Sequence, residues 1–266
     1  MDMIRNGEHS DIGAEKLRGL LKILPENDES EMLRTFEGDR GRLGNAEKFL
    51  ITLMDVPQYK LRIESMLLKE EFEAVMDQIE PCVNAVIYAA RDLLANPHLH
   101  ELLYMVLVAG NFLNSGGYAG NAAGMKLSSL QKLTDIRANK PGMTLLHYVV
   151  QQAERKDAEL LKFPDEMSCL EEATRTTMEQ LKGEMNQLDA RIAKISKQLQ
   201  ASSTSPEIVK QMGNFLQVAA NDLVSLKEGV EEVERVRLEV AEYFCEDAGS
   251  FKLEECFRVM YSFCCK

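Results

Sequence analysis

Two apolar seams either side of a short polar break constrain this chain more than any other feature. The first, Leu181, Met185, Leu188, Ile192, Ile195 and Leu199, is spaced 4, 3, 4, 3, 4, with charged or amide residues between. The second runs Ile208, Met212, Phe215, Ala219, Leu223, Leu226, Val230 and Val233. Only Ala201-Ser202-Ser203-Thr204-Ser205-Pro206 separates them. Such spacing draws one narrow stripe along a helix. Two stripes joined by a short turn predict an antiparallel helical hairpin with coiled-coil-like packing. Gly213 and Gly229 each weaken the second helix by about 1 kcal/mol relative to Ala, so packing must hold it. Some 35 residues of helix would reach about 50 Å.

The rest of the chain also carries a helical period. Leu17, Leu20, Leu21 and Leu24 form a stripe ended by Pro25, and the acidic run from Asn27 to Glu31 suits a helix start. Phe49, Leu50, Leu53 and Met54 make another stripe, closed by Val56-Pro57. A broader one from Leu61 to Ile79 is expected to stop at Pro81, which would open the next helix through Val83, Val86, Ile87 and Leu94. Asn96-Pro97 signals the start of the segment 102–109, which has no polar face and is therefore expected at the centre of the core. A short amphipathic helix from Phe251 to Phe263 closes the chain. The expected fold is all-α, an elongated multi-helix module.

Among 266 residues, 43 Asp plus Glu outweigh 31 Lys plus Arg, for a net charge of −12. An acidic chain is disfavoured for broad binding to nucleic acid or anionic lipid, which needs a positive field. No run reaches the roughly 18 apolar residues of a membrane span, and Met1 to Gly13 lacks the basic-then-apolar order of a secretory signal. The chain reads as cytosolic. Its six cysteines follow no disulfide or zinc spacing and read as reduced thiols.

One stretch, 110–125, breaks the helical pattern. Gly110, Gly116, Gly117, Gly120 and Gly124 supply turns that a regular helix cannot absorb, while Asn111 and Asn114 can each pin a peptide by hydrogen bonds. No phosphate-binding glycine motif is present. Just beyond, Lys126, Lys132, Arg137 and Lys140 face a single acid, Asp135, so residues 111–142 carry +3 on an otherwise acidic protein. Such a patch can steer an acidic partner.

Catalytic groupings are not found. His98 and His100, two apart, splay about 200° on a helix, poor geometry for one metal. His147 reads as a satisfied, semi-buried histidine. Neither G-x-S-x-G nor H-E-x-x-H occurs. The expectation is a non-enzyme with no metal and no cofactor.

Three motifs in order carry a resemblance. Gly110-Asn111-Phe112-Leu113-Asn114-Ser115-Gly116 is followed by Gly124-Met125-Lys126-Leu127-x-x-Leu130-x-Lys132-Leu133, then by Thr144-Leu145-Leu146-His147-Tyr148. Together they resemble the signature run of the formin homology 2 domain. The runs Gly19 to Pro25, Leu61 to Met66, Phe163 to Glu166 and Tyr243 to Asp247 extend the likeness outward. Residues 116–122 and 138–143 are most similar to the inverted-formin branch.

The resemblance implies an actin-binding module that nucleates filaments and follows the growing barbed end as a head-to-tail dimeric ring. In that ring the lasso of one subunit encircles the post of the other. Arg137 falls where the family pattern has a lysine that contacts actin, with Lys126, Lys132 and Lys140 beside it. Gly110, Asn111, Asn114, Gly116, Gly120 and Gly124 would shape the post that receives a lasso. Met125 replaces the usual Phe. By the same alignment the divisions are 1–109 knob-side helices, 110–164 loop and post-side helices, 165–245 long hairpin and 246–266 C-terminal helix.

Met1 to Arg5 align inside the knob, so the N-terminal lasso and linker are expected to lie outside this sequence. Actin is the expected partner. A homodimer is expected for the full-length domain and not for this piece, which should act weakly alone. Microtubule binding is left open, and the location is the cytoplasmic cytoskeleton. The alternative is a helical scaffold whose 165–245 hairpin binds partner helices without actin. A membrane-binding module would need a basic face there, which the sequence lacks.

Overall fold

The computed structural model describes all residues except Ala119, Ala138, Asn139, Lys140 and Ser202. Five helices, α1 (Asp2–Asn6), α2 (His9–Ile12), α3 (Ala14–Lys22), α4 (Asn27–Arg34) and α5 (Asn45–Met54), lead into the long α6 (Tyr59–Ala95). Then come α7 (Pro97–Leu113), α8 (Ser128–Gln131), α9 (Leu145–Lys156) and α10 (Leu170–Ala173). The chain closes with α11 (Met178–Leu199), α12 (Pro206–Tyr243) and α13 (Leu253–Cys264). Among the described residues the only β pairing is an isolated bridge, Arg137 with Thr144. The all-α expectation holds.

Pro81 does not end its helix. It lies inside α6, whose 37 residues run unbroken. A proline there removes one backbone hydrogen bond and costs about 3 kcal/mol. The apolar residues to either side, Ile79, Val83 and Val86, are all buried and hold the turn in place.

The fold divides into two units, one made of Met1–Ile79 with Glu184–Leu226, the other of Glu80–Gly183 with Lys227–Lys266. In the first, Ile4, Leu17, Leu53, Val56, Ile63, Met66 and Leu67 form a core. Leu188, Ile192, Ile195, Ile208, Met212, Ala219, Leu223 and Leu226 are buried as the two seams require. The hairpin is not a bare pair, however, because α6 lies against both of its arms. Arg191 and Lys194 of α11 bind Glu71 and Glu64. Phe215 of α12 meets Phe72 edge-on, ring centroids 5.5 Å apart. A narrow seam thus found a third helix to fill it.

Arg62 of α6 ties this unit together. It is 2% exposed, and it donates to the carbonyls of Pro57 and Arg5, to Gln211 Oε1 and to Glu207 Oε2. Its stem packs while its planar fork donates to two backbone carbonyls and two side chains, the Arg5 carbonyl being shared with Gln211 Nε2.

In the second unit α7 and α9 pack on each other and on the 3₁₀ stretch Ala158–Glu166, while α8 and α10 pack on α13. Leu93, Leu99, Phe163, Phe244, Phe257 and Met260 are buried there. Asn96 caps α7, accepting a hydrogen bond from the Leu99 backbone N–H, and Pro97 takes the first turn, as the sequence signals.

Candidate functional site

The apolar run of α7 does not lie at the centre of the core. Leu99, Leu102, Leu103 and Val106 are buried on one side. Tyr104, Val108 and Phe112, at i, i+4 and i+8, are exposed on the other, Phe112 by 78%. The helix is apolar all round because it serves two surfaces, one packed and one open.

Facing it, α9 starts at Thr144, whose Oγ1 accepts from the His147 backbone N–H while His147 Nδ1 accepts from the Thr144 N–H. This reciprocal cap satisfies two helix-end donors. It also places His147 at the exposed first turn rather than in the semi-buried setting expected. Leu145, Leu146, Val149 and Ala153 are buried, and Tyr148, Gln152 and Lys156 follow one another along the groove side.

Between the two helices runs a groove of about 760 Å³. Glu101 and Lys156 form an ion pair across one end. Leu113, Ile136, Arg137 and Leu145 line the other, so the helices are antiparallel. Apolar walls with a few polar groups at the ends are the ordinary makeup of a binding cleft.

The glycine-rich stretch abuts this end. Helix α7 continues through Gly110 to Leu113, so regular helix ends four residues later than expected. Asn111 acts as a substitute peptide: its Nδ2 donates to the Ala122 carbonyl at 2.9 Å and its Oδ1 accepts from the Ala122 N–H at 2.8 Å. Asn114 instead donates to the Gly110 carbonyl of its own helix, 2.9 Å away. A Cβ on Gly120 would lie 2.5 Å from the Asn114 carbonyl oxygen, whereas Gly110 and Gly116 face open space. Leu127 N–H donates to Glu246 Oε1, tying the loop to the turn that follows α12.

Of the basic residues singled out, Lys126, Lys132 and Arg137 are exposed, and no ion pair among the described residues holds them. Lys140 lies outside the described residues. Arg137 is the one of the three that lines the groove. Its backbone is fixed by the bridge to Thr144 and by the Leu145 N–H donating to the Ile136 carbonyl at 2.8 Å. A two-residue pairing at the foot of α9 therefore sets the cation on the rim.

His98 binds Glu166 and His100 binds the Leu93 carbonyl, so the two point to different partners. Cys245 and Cys265 are exposed, while burial pushes the Cys264 thiol up to about 12 and that of Cys256 higher still. Among the described residues no group of three His, Cys, Asp or Glu is placed to hold a metal ion. The groove itself was missed by sequence reasoning. Its signal was there, aromatic and apolar residues at i, i+4 and i+8 on a helix whose opposite side already satisfies the core.

A helical fold with the glycine-asparagine loop beside an apolar groove is the arrangement in which residues 1–266 match the Formin Homology 2 Domain family across the whole chain. The chain belongs to that family. It is 40% identical over 263 residues to FH2 domain-containing protein 1 of Homo sapiens, covering 99% of this chain and 23% of that protein. Inverted formin-2 of Xenopus laevis is 32% identical over 263 residues, with 99% and 24% covered. Formin-like protein 20 of Arabidopsis thaliana is 29% identical over 260 residues, with 96% and 16% covered. The first two agree with the inverted-formin branch that the loop resembles. The chain spans less than a quarter of the length of these curated relatives.

Proposed function

We propose that this chain is an actin-assembly module of the formin type, acting by templating and not by covalent chemistry. The observation that carries the reading is Arg137, an exposed cation without a carboxylate partner among the described residues, set on the rim of an apolar groove beside the family's loop motif. Lys126 and Lys132 add positive charge in the same segment, and Lys140 belongs to the proposal by sequence. A positive ledge on a chain of net charge −12 selects acidic surfaces by steering and register. Actin subunits held in fixed orientation lose less entropy on joining, which lowers the cost of a nucleus.

The groove is the surface that receives the lasso of a second copy. Its aromatic walls suit aromatic anchors, and Asn111, Asn114, Gly120 and Gly124 hold the adjoining loop in shape. The divisions 1–109, 110–164, 165–245 and 246–266 are proposed as its knob-side, post-side, hairpin and C-terminal parts. The location that follows is the actin cytoskeleton. Among the described residues no helix is long and apolar enough to cross a membrane.

Seeded pyrene-actin elongation with the purified chain tests this. The native protein is expected to alter barbed-end growth, weakly by itself and less at high salt, since an exposed charge contact is screened. Arg137→Glu is expected to lose the effect with an unchanged circular dichroism spectrum. Equal behaviour of the native and Arg137→Glu proteins would reject the cationic contact.

A further inference from the structure

Ser65 Oγ is buried and has no hydrogen-bond partner among the described residues. The residue is 2% exposed and lies on α6, one turn from both Arg62 and Lys69. A serine inside a helix commonly turns its hydroxyl back to the carbonyl four residues earlier, here that of Leu61. Ser65 does not. A hydroxyl buried alone forfeits the hydrogen bonds that water gave it in the unfolded chain, so folded proteins nearly always supply a partner.

The hydroxyl borders a small cavity between α6 and α12. Met66, Ile208 and Met212, all buried, form its apolar walls. Arg62, Lys69 and Gln211 form the polar part. Gly7 stands beside it with φ +72°, where a Cβ would lie 3.0 Å from Gln211 Oε1, so the bare glycine leaves that amide its place. Size selects the occupant. The cavity measures about 10 Å³, close to the roughly 10–15 Å³ that a single water requires. An anion does not fit, although two cations are near. Lys69 Nζ donates to the Gln211 carbonyl at 2.9 Å, which leaves protons of its ammonium to spare. Gln211 Oε1 accepts a long contact, 3.4 Å, from Arg62, and its second lone pair has capacity for another donor.

We propose that this cavity binds one ordered water, held by Ser65 Oγ, Lys69 Nζ and Gln211 Oε1. Three polar partners are the usual number for a buried water. The water returns to Ser65 the hydrogen bonds that burial removed, and it joins α6 to α12 beside the contacts of Arg62. Ser65 is its anchoring residue.

The test is a high-resolution crystal structure of the full chain, with oxygen-17 relaxation dispersion and thermal melts of the native and Ser65→Ala proteins. The crystal should show a water about 2.8 Å from Ser65 Oγ. Relaxation dispersion should count one long-lived water fewer in Ser65→Ala, and the variant should melt no higher than the native protein. A truly unpartnered hydroxyl behaves oppositely. Alanine relieves it and is the better helix former, so the variant would melt about 2–4 °C higher. That rise overturns the proposal. So does an unchanged count of long-lived waters, or a crystal in which Ser65 Oγ bonds the Leu61 carbonyl with no water beside it.

Discussion

The sulfur of Cys245 sits where a side chain on Gly124 would have to go: a Cβ there would lie 2.7 Å from Sγ. Cys245 itself follows α12 with φ +53°, a left-handed conformation that favours glycine. Gly124→Ala is therefore expected to destabilise by about 1 kcal/mol, since Sγ can swing away about one torsion. In the Cys245→Gly background the same change should cost nothing measurable. Urea melts of the double-mutant cycle read the coupling.

Gly120 gives the contrasting case. The atom in its way is the backbone oxygen of Asn114, 2.5 Å from an added Cβ, and a carbonyl cannot rotate aside. Gly120→Ala is expected to cost about 2–3 kcal/mol. Gly110→Ala, within α7 and facing open space, should instead stabilise by about 0.5–1 kcal/mol. Thermal melts of the two variants should shift in opposite directions.

Arg62 is expected to be the most sensitive charged residue in its unit. Arg62→Leu removes the guanidinium donor from the Pro57 carbonyl and leaves the Arg5 carbonyl only the 3.3 Å bond from Gln211 Nε2, although Glu207, 71% exposed, can turn to water. About 2–4 kcal/mol should be lost. Glu207→Gln should cost under about 1 kcal/mol. Similar losses in both would place the stabilising interaction in the ion pair rather than in the carbonyl contacts.

Alkylation should sort the cysteines. At pH 8, Cys245 and Cys265 are expected to react with iodoacetamide while Cys256 and Cys264 stay protected. The Cys264 value is raised from 9.0 to about 12, chiefly by desolvation. The folded state keeps a proton that the unfolded chain releases, so this contribution is full below pH 9 and is lost as pH rises towards 12. Cys264→Ser should flatten the alkaline limb of a stability-against-pH curve. An unchanged slope would assign that limb to other groups.

Phe112→Ser is expected to lower the fluorescence of a bound apolar dye such as anilinonaphthalene sulfonate, with stability kept within about 0.5 kcal/mol. Val106→Ser, six residues earlier on the packed side and 4% exposed, should instead destabilise the fold. Only the packed side of α7 holds the unit together.

Periodicity and end signals revealed most of the longer helices, the α11–α12 turn, the start of α7 at Asn96-Pro97 and the family's loop because each depends on residues close in sequence. They misjudged Pro81, where buried neighbours on both sides outweigh one lost hydrogen bond. They also misjudged the apolar run of α7, because uniform hydrophobicity says how much surface avoids water and not which elements cover it. Whether a face is covered depends on residues far along the chain.

By itself, then, the sequence determined the all-α class, several helix ends, the family, and the cations on which the functional reading rests. Tertiary structure decided that α6 fills the hairpin seam, that Gly120 and Gly124 are the loop glycines under steric demand, and that Arg137 edges an open aromatic groove. The physical reason is the range of the forces involved. Helix propensity and capping act within a few residues, whereas burial, steric exclusion and a groove between α7 and α9 are set by chain segments that only folding brings together.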